Sequence, residues 1–411
     1  MITSDYKPLI KAETEIIPAK TDKGEVIILK DNEGLTNQTI VMPIETIALI
    51  QFFNGQNSIK DIQSQILKLT SQIIPEHEII EFVKQLDEAN FLENEKIKKI
   101  RIKSYEEFKK SDIRKAIHKG LSYPENILEL TSFMSKFHKV EQTPFPTKIL
   151  TGAVAPHIDI IKGGTVYSKT YSEIGNSQIP DLIIAFGVSH KGGNSPFIFT
   201  KKDYETPYGN MITDKEIYNR FKEILWYEPD DEEIFHKNEH SLEFQALWLK
   251  YIWREKTPKW LPILVTDFER FSSEENPPSK IEYMEKFFTD SEILLKSLLK
   301  ENKKILILAG VDLSHMGQRF GDDFPITGEI KKQTEEFDKK LLNLVAELKA
   351  DEFFKEILKN QNSTKICGLS AIYCALRFIK SINPEIRGKI LDYSQANDPF
   401  GGFVSFASII F

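Results

Sequence analysis

The sequence predicts an α/β fold for most of this chain, preceded by a small α+β domain. From about residue 112 onward, apolar strand-like runs alternate with helix-like segments, which is typical of a central sheet with helices on both faces. The first ninety residues instead hold three short helical patterns with flanking strand-like runs. With 411 residues, the chain is also longer than one ordinary core supports, which favours two domains.

The N-terminal domain is predicted over residues 1–93 and is winged-helix-like. Ser58 is the expected N-cap of its second helix, and Pro75 opens the third. Residues 94–112 are rich in charge and are predicted to form a linker, followed by the second domain at 113–411. The predicted elements of the first domain are a strand at Glu25–Leu29 and helices at Pro43–Phe53, at Ile59–Leu69 and from Pro75 onward.

The second domain is predicted to alternate strands and helices around its sheet. Its predicted strands are Lys148–Ala155, Leu182–Ser189, Phe197–Thr200, Leu261–Val265, Lys304–Val311 and Phe403–Phe411. Its predicted helices are Asp214–Leu225, Ser241–Trp253, Ile281–Glu301, Glu329–Leu348, Ala350–Leu358 and Leu369–Ile382.

The charge distribution argues against nucleic acid as a partner. Residues 1–93 carry 8 Lys and Arg against 15 Asp and Glu, and the rest of the chain is balanced. Binding to a phosphate backbone requires clustered Lys and Arg. No apolar run approaches the ~20 residues that cross a bilayer, and the start of the chain shows no signal-peptide pattern. We therefore expect a cytoplasmic protein that does not contact a membrane.

Two histidines follow apolar runs of the predicted sheet at the point where each run ends. His157 comes shortly after Ala155, and His190 comes directly after Ser189. Because the carboxyl ends of parallel strands converge on one crevice, we expect the two rings to share a site. Asp159 is expected to orient the imidazole of His157. The alternative is that a loop carbonyl satisfies this ring and that it has no further role.

A third apolar run, Lys304–Val311, leads into Asp312 and His315. A carboxylate and an imidazole at this spacing can pair and shift each other's pKa. In the alternative interpretation, Asp312 caps a helix or forms a purely structural ion pair. His240 stands at the start of the predicted helix Ser241–Trp253, where it is either an acid/base group or part of the helix cap.

The two cysteines of the chain have different expected roles. Cys367 precedes the helix Leu369–Ile382, and a helix N-terminus together with Lys365 favours a thiolate, which is a nucleophile and a soft metal ligand. In the alternative it is a small buried apolar residue, as we expect for Cys374 within the helix. Seven residues of helix separate the two sulfurs by ~10 Å, too far for a disulfide. Unpaired thiols fit a reducing compartment.

Taken together, these residues resemble the Memo family, called AmmeMemoRadiSam system protein B in prokaryotes. The resemblance extends from about Ile113 to Phe411, and its specificity comes from the order of several short motifs. These motifs are Arg114–Gly120 with Tyr123-Pro124, Pro156-His157, Gly187–His190, Glu239–Glu243, Asp312–Phe320, Ile366–Gly368 and Asp392–Gln395.

The resemblance implies a fold like that of the class III extradiol dioxygenases, which are non-haem iron enzymes. It also implies a mononuclear metal site made of two histidines and one cysteine. The implied metal ligands are His157, His190 and Cys367, and the implied acid/base residues beside them are His240, Asp312 and His315.

Two imidazoles and a thiolate leave coordination positions open, and the thiolate selects softer ions. We therefore expect one transition-metal ion, with Fe(II) or Cu favoured and Zn as the alternative. The dioxygenases use a carboxylate where this chain has a cysteine, which argues against ring cleavage. The sequence thus predicts either a metal-dependent oxidoreductase or a catalytically retired domain that binds a peptide or protein.

The first ninety residues are similar to small PqqD-like, winged-helix modules that recognise peptides. The similarity rests on Gly34-Leu35, Phe53–Gly55 and Leu86–Ala89. Such modules bind a peptide by adding a strand to a sheet edge, and the acidic charge of this region agrees with a peptide ligand rather than DNA. The family context also implies a radical-SAM enzyme as a partner.

Overall fold

The chain folds into two compact units in a computed structural model, which describes residues 2–22, 24–36, 38–139, 146–398 and 401–411. Unit 1 spans Met1–Lys110 and unit 2 spans Ser111–Phe411. Each unit has its own buried apolar core, as expected for a chain of this length. Within the described ranges, no helix is both long and apolar enough to cross a membrane.

In the part that the structure describes, unit 1 combines a three-stranded antiparallel sheet with four α-helices. The sheet has the order β1-β2-β3, and Ile27 and Leu29 of its central strand are buried. The predicted cap is confirmed: the Ser58 hydroxyl accepts from the backbone N–H of Asp61, whose carboxylate accepts from the N–H of Ser58. The elements are β1 (Thr14–Thr21), β2 (Gly24–Asp31), β3 (Ile40–Pro43), α1 (Ile47–Ile50), α2 (Ile59–Thr70), α3 (Glu76–Glu88) and α4 (Glu95–Lys110).

The region predicted as a linker, residues 94–112, consists mostly of helix α4. Ile97 on this helix is buried, and Arg101 forms ion pairs with Glu33 and Glu93. These contacts hold the helix within unit 1. The prediction differed because the many charged residues of the segment conceal two buried apolar residues, Ile97 and Phe108, and a paired arginine.

Among its described residues, unit 2 is an α/β fold built on one mixed eight-stranded sheet, and two further short strands, Ile113–Arg114 and Asp203–Tyr204, pair with each other. Seven strands follow the order β11-β13-β5-β10-β6-β9-β7, and β12 pairs with β13. The inner strands β5, β10, β6 and β9 run parallel, whereas β13, β12, β11 and β7 pair antiparallel with their neighbours. The strands are β4 (Ile113–Arg114), β5 (Gly152–Ala155), β6 (Leu182–Val188), β7 (Phe197–Phe199), β8 (Asp203–Tyr204), β9 (Lys259–Val265), β10 (Ile305–Gly310), β11 (His315–Met316), β12 (Lys389–Asn397) and β13 (Phe403–Ile410).

Helices cover both faces of this sheet, as the sequence predicts. Alternate residues of β6 point to opposite cores: Leu182, Ile184 and Phe186 join one, and Ile183 and Ala185 join the other. The inner strands are therefore buried on both faces, which explains their nearly continuous apolar sequences. The helices are α5 (Ile127–Ser135), α6 (Ile160–Gly175), α7 (Lys215–Lys222), α8 (Ser241–Trp253), α9 (Glu282–Lys300), α10 (Gly328–Ala346), α11 (Ala350–Lys359) and α12 (Leu369–Ile382).

Candidate metal centre

Four candidate residues lie where elements of unit 2 end or begin at one edge of the sheet. His157 follows β5 and His190 follows β6, while His240 immediately precedes α8 and Cys367 precedes α12. The parallel pairing of β5 and β6 with β10 brings the carboxyl ends of these strands together. Residues far apart in sequence thus converge on one crevice, as expected for an α/β sheet.

Gly310, the last residue of β10, allows α8 to approach this edge closely. A Cβ atom at this position would lie 2.6 Å from Nε2 of Gln245 and 2.7 Å from the carbonyl oxygen of Ser241. A larger residue would therefore push the first turn of α8 away from the sheet. This approach brings His240, directly before the helix, among the other site residues.

His157 is a buried imidazole held in one tautomer. Its Nδ1 lies 3.1 Å from the carbonyl oxygen of Gly310, so Nδ1 carries the proton and donates. Its Nε2 then presents a lone pair 3.3 Å from Sγ of Cys367. Burial, aided by neighbouring imidazoles, lowers the pKa of His157 well below its usual value, so the ring stays neutral. Asp159 does not orient this ring as predicted; its carboxylate caps α6 by accepting from the N–H of Ile161.

Glu239 anchors His190, although sequence reasoning assigned this carboxylate no role. It lies 3.0 Å from Nδ1 of His190 and also accepts from the backbone N–H groups of His190 and Ser241. Burial lowers the pKa of His190, but the Glu239 carboxylate outweighs burial and raises it well above its ordinary value. The His190–Glu239 pair is therefore ionised. Nε2 of His190 is not engaged by Glu239 and can contact another group of the site.

His240 joins the two other histidines in a group with the spacing of metal ligands. One nitrogen from each of His157, His190 and His240 lies within 4.8 Å of the others. Nδ1 of His240 is 3.3 Å from the same Glu239 carboxylate. Burial lowers the pKa of His240 to about 3, so this ring is neutral. Sequence reasoning treated His240 as an acid/base group, and the geometry makes it a candidate ligand as well.

Cys367 completes the group on the side of His157. Its thiol also hydrogen bonds with His190, and its Sγ lies 3.7 Å from the carbonyl oxygen of Asp312. Burial raises the pKa of Cys367, which corrects the expectation of a thiolate stabilised by Lys365. Lys365 instead pairs with Asp322. Without an ion, Cys367 is therefore a protonated thiol, and a bound cation would be needed to favour the thiolate.

Asp312 contacts His157 rather than pairing with His315. Its Oδ1 accepts from the backbone N–H of His157 at 3.0 Å, and its Oδ2 is 3.6 Å from Nε2 of that ring. Burial raises the pKa of Asp312 to about 7. A carboxyl group with this pKa can hold or release a proton near neutral pH.

His315 stands beside the same crevice on the short strand β11. Its Nδ1 lies 2.9 Å from the carbonyl oxygen of Leu313, which fixes the proton on that nitrogen. Burial lowers the pKa of His315 to about 4, and the charge of His190 contributes to this effect. His315 is therefore a neutral imidazole whose Nε2 can accept a proton.

A buried ion pair lies next to His240 on the first turn of α8, and sequence reasoning missed it. Glu243 on α8 pairs with Arg114 and also accepts from the hydroxyl of Tyr123 and the backbone N–H of His118, and both charged side chains are inaccessible to solvent. This network places the ring of His118 with its centroid 5.8 Å from that of His240. Both residues lie in motifs that resemble the Memo family, Arg114–Gly120 and Glu239–Glu243. The positions of these motifs in the sequence do not show that the two side chains meet.

The donor set fits a transition-metal ion. In proteins, an imidazole that binds a metal through one nitrogen almost always donates its other N–H to a carbonyl or carboxylate, which fixes the ring. His157 has such a partner in the Gly310 carbonyl, and His190 has one in Glu239. Their Nε2 atoms and the sulfur of Cys367 form the softer, mixed N/S set that suits Fe, Cu or Zn rather than Mg or Ca.

Comparison with known proteins gives consistent matches along the chain. A family model described as Memo-like protein matches residues 114–410. A "MEMO1 family protein" of Aquifex aeolicus is 29% identical over 389 residues, covering 94% of this chain and 96% of the relative. Proteins with the same description from Thermus thermophilus and Thermoplasma volcanium are 26% and 27% identical.

The relatives differ in how much of unit 1 their matches include. The Thermus match covers 81% of this chain and 92% of the relative, and the Thermoplasma match covers 72% and 98%. Unit 1 makes up more than a quarter of the chain, so the 94% covered by the Aquifex match extends well into it. Similarity to unit 1 is thus present in the Aquifex relative, whereas the Thermoplasma relative is accounted for by a region the size of unit 2.

Proposed function

The chain belongs to the Memo-like protein family, and from this premise we propose that unit 2 binds one transition-metal ion through His157, His190 and Cys367. The observation that carries the proposal is the convergence of an Nε2 lone pair and a sulfur at 3.3 Å, beside a second imidazole held by a carboxylate. Ligand atoms bound to one ion at ~2.0–2.3 Å lie a little over 3 Å apart, so this spacing supports shared coordination.

His240 is the fourth member of the proposed set. Its nitrogen lies within 4.8 Å of those of His157 and His190, so it either completes the coordination or stays beside the ion as a neutral base. When bound, Fe(II) or Cu would supply redox and Lewis-acid chemistry. Asp312 and His315 would hold or move protons next to it, because one has a pKa near neutrality and the other is a neutral imidazole with its proton on Nδ1.

We further propose that unit 2 shares its ancestry with the extradiol dioxygenase fold and acts as an oxidoreductase other than a ring-cleaving dioxygenase. The support is chemical. The ring-cleaving enzymes use a carboxylate where this chain has Cys367, and the buried thiol has a raised pKa. A soft sulfur ligand changes which ion is retained, because thiolates select ions such as Cu(I) and Zn.

The proposal is tested by metal analysis of tag-free, full-length protein after anaerobic incubation with Fe(II), Cu or Zn and removal of excess ion. We expect one ion per chain. His157→Ala and His190→Ala should lose it, whereas His77→Ala, at an exposed position on α3, should retain it. His240→Ala, examined in parallel, distinguishes the two roles proposed for His240. Loss of the ion would indicate a fourth ligand, and retention of the ion would indicate a neighbouring base. Wild-type protein that stays free of metal under all these conditions would contradict the proposal.

A second candidate function is a peptide- or protein-binding role in which the oxidoreductase activity has been lost. The observation that favours it is the sheet of unit 1, in which β1 and β3 are the outer strands among the described residues. An outer strand is the place where a PqqD-like, winged-helix module would add a peptide, and a radical-SAM enzyme is the proposed partner. Co-purification of the full chain with such an enzyme tests this role. Capture that persists in both His157→Ala and Cys367→Ala would favour binding over catalysis.

A further inference from the structure

The loop between α11 and α12 holds three residues in the left-handed backbone region, shortly before Cys367. Gln361, Asn362 and Lys365 have φ angles of 53°, 48° and 54°. Residues other than glycine rarely adopt such angles, and Asn is among those that tolerate them best. At Gln361 the conformation ends α11, because its N–H donates to a carbonyl oxygen of the last helical turn. A helix end needs only one left-handed residue, so the conformation of Asn362 has another cause.

The side chain of Asn362 binds the backbone of the residue before Cys367. Its Oδ1 accepts from the N–H of Ile366 at 2.8 Å, and its Nδ2 lies 3.5 Å from the carbonyl oxygen of the same residue. On the other side of Cys367, the N–H of Gly368 donates to the carbonyl oxygen of Asp312 at 3.2 Å. The backbone that carries the sulfur is therefore held by hydrogen bonds on both of its neighbours.

The same amide connects the loop to the start of α12. Asn362 also bonds to the carboxylate of Glu269. The N–H of Phe268, the preceding residue, donates to the Ser370 hydroxyl at 2.9 Å, and Ser370 lies in the first turn of α12. Asn362 is thus part of a series of contacts that begins before Cys367 in the chain and ends after it.

The loop is also attached to the side of the site that contains His315. The N–H of His315 donates to the carbonyl oxygen of Thr364 at 2.7 Å. The ammonium group of Lys365 pairs with Asp322. The proposed sulfur ligand and one of the proposed acid/base residues therefore depend on a single loop.

We propose that Asn362 is the positioning residue of the sulfur ligand. Its amide holds the loop in the left-handed conformation that leaves Sγ of Cys367 3.3 Å from Nε2 of His157. The inference rests on the proposed function, because Cys367 is a ligand only if the centre binds an ion. An asparagine that served the turn alone would affect the stability of the fold and leave the sulfur unchanged.

The first test measures the sulfur without any metal. Asn362→Gly removes the amide, and glycine still adopts the left-handed conformation. Gln361→Gly is the matched control, because Gln361 is left-handed in the same loop and exposed. Alkylation of the metal-free full chain by iodoacetamide at one pH is followed by mass spectrometry, with buried Cys374 as the internal reference. Cys367 should react about 10-fold faster in Asn362→Gly, because side-chain hydrogen bonds that hold the loop are lost. Gln361→Gly should react like wild type.

The second test measures the ion. The affinity for Zn, determined by chelator competition, should fall about 10- to 100-fold in Asn362→Gly, as for other groups that hold a metal ligand in place. The sulfur-to-metal absorption of the Co(II) form should weaken in the same variant. Denaturant titration of each variant confirms that it is folded. If Asn362→Gly does not fold, Asn362→Asp replaces it, since this change keeps the acceptor for the Ile366 N–H and loses the donor to Glu269.

The outcomes separate this inference from the proposed function. The positioning role requires both changes in a folded variant, so an unchanged alkylation rate or an unchanged affinity would overturn it and leave the metal centre standing. Equal effects of Gln361→Gly and Asn362→Gly would overturn it as well, because the backbone alone would then be responsible. Wild-type protein that binds no ion would contradict the metal centre itself, and the positioning role with it.

Discussion

Nε2 of His157 lies 3.3 Å from Sγ of Cys367, although the two residues are 210 positions apart in the chain. The contact exists because β5 pairs with β10 within the sheet and α12 packs against both strands, where Gly368 allows close packing. A Cβ atom at Gly368 would lie 2.6 Å from the carbonyl oxygen of Asp312. The fold therefore forms the contact between ring and sulfur, and the proposed metal centre depends on it.

Cys367→Ala should abolish tight metal binding by the full chain. Loss of an outer partner of a metal ligand typically costs ~10–100-fold in affinity, and loss of the sulfur itself should cost more. The measurement is a competition titration with Co(II), whose near-ultraviolet sulfur-to-metal absorption reports the thiolate directly. Cys374→Ala is the matched control, because Cys374 is buried within α12 and makes no contact with the histidines among the described residues. Equal affinity in both variants would contradict the assignment.

Glu239→Gln should weaken metal binding by ~10–100-fold without removing a ligand, because it loosens the carboxylate that orients His190. The affinity for Zn, measured by chelator competition, checks this effect. Glu232→Gln serves as the control. Its carboxylate accepts from the backbone N–H groups of Asn194 and Ser195, in the loop that carries His190, and contacts no imidazole among the described residues. A larger loss in Glu232→Gln than in Glu239→Gln would argue that the loop, not the ring orientation, determines affinity.

Arg114→Met should destabilise the protein by roughly 3–5 kcal/mol, because it leaves the charge of Glu243 buried without its partner. Chemical denaturation followed by tryptophan fluorescence measures the free energy of unfolding. Lys115→Met changes the neighbouring residue in the same way, but the Lys115 side chain is 70% exposed and should contribute little. Similar stabilities for the two variants would show that the buried pair is not important for the fold.

Asp338→Asn should remove a pH dependence of stability. Asp338 is buried and accepts from the hydroxyls of Ser314, Ser405 and Tyr393, and burial raises its pKa from 3.8 to about 6. The folded state therefore binds this proton more tightly than the unfolded state. The stabilisation is complete below the unfolded pKa and is lost as the pH rises through about 6.

The difference in unfolding free energy between wild type and Asp338→Asn should accordingly change by up to about 3 kcal/mol across this range, in the direction that disfavours wild type at high pH. Denaturant titrations at several pH values measure it. A difference that stays constant with pH would mean that Asp338 has an ordinary pKa in the folded protein.

Much of unit 2 could be predicted from the sequence because its inner strands are buried on both faces and appear as continuous apolar runs. Helix α6 was missed because it contains Gly163 and Gly164, which lower helix propensity. Strand β12 was missed because its residues are polar and partly exposed, and only its pairing with β13 defines it. In both cases tertiary contacts outweigh the local sequence signal.

The sequence predicted that His157, His190 and Cys367 lie near one another, but not which carboxylates and carbonyls hold them. Strand ends placed His157 and His190 at one edge, since the topology of α/β sheets is regular. The role of Glu239 and the turn of Asp312 toward His157 depend on loop geometry, which periodicity does not encode. The pKa of Cys367 was predicted in the wrong direction because burial raises it, and the sequence did not show how deeply this thiol is buried.

The most direct test of the proposed centre is an X-ray absorption spectrum at the zinc edge of the full chain loaded with one equivalent of Zn. We expect a single sulfur scatterer at about 2.3 Å together with nitrogen scatterers at about 2.0–2.1 Å. A shell of nitrogen and oxygen alone, with the ion fully bound, would contradict it and would exclude Cys367 as a ligand.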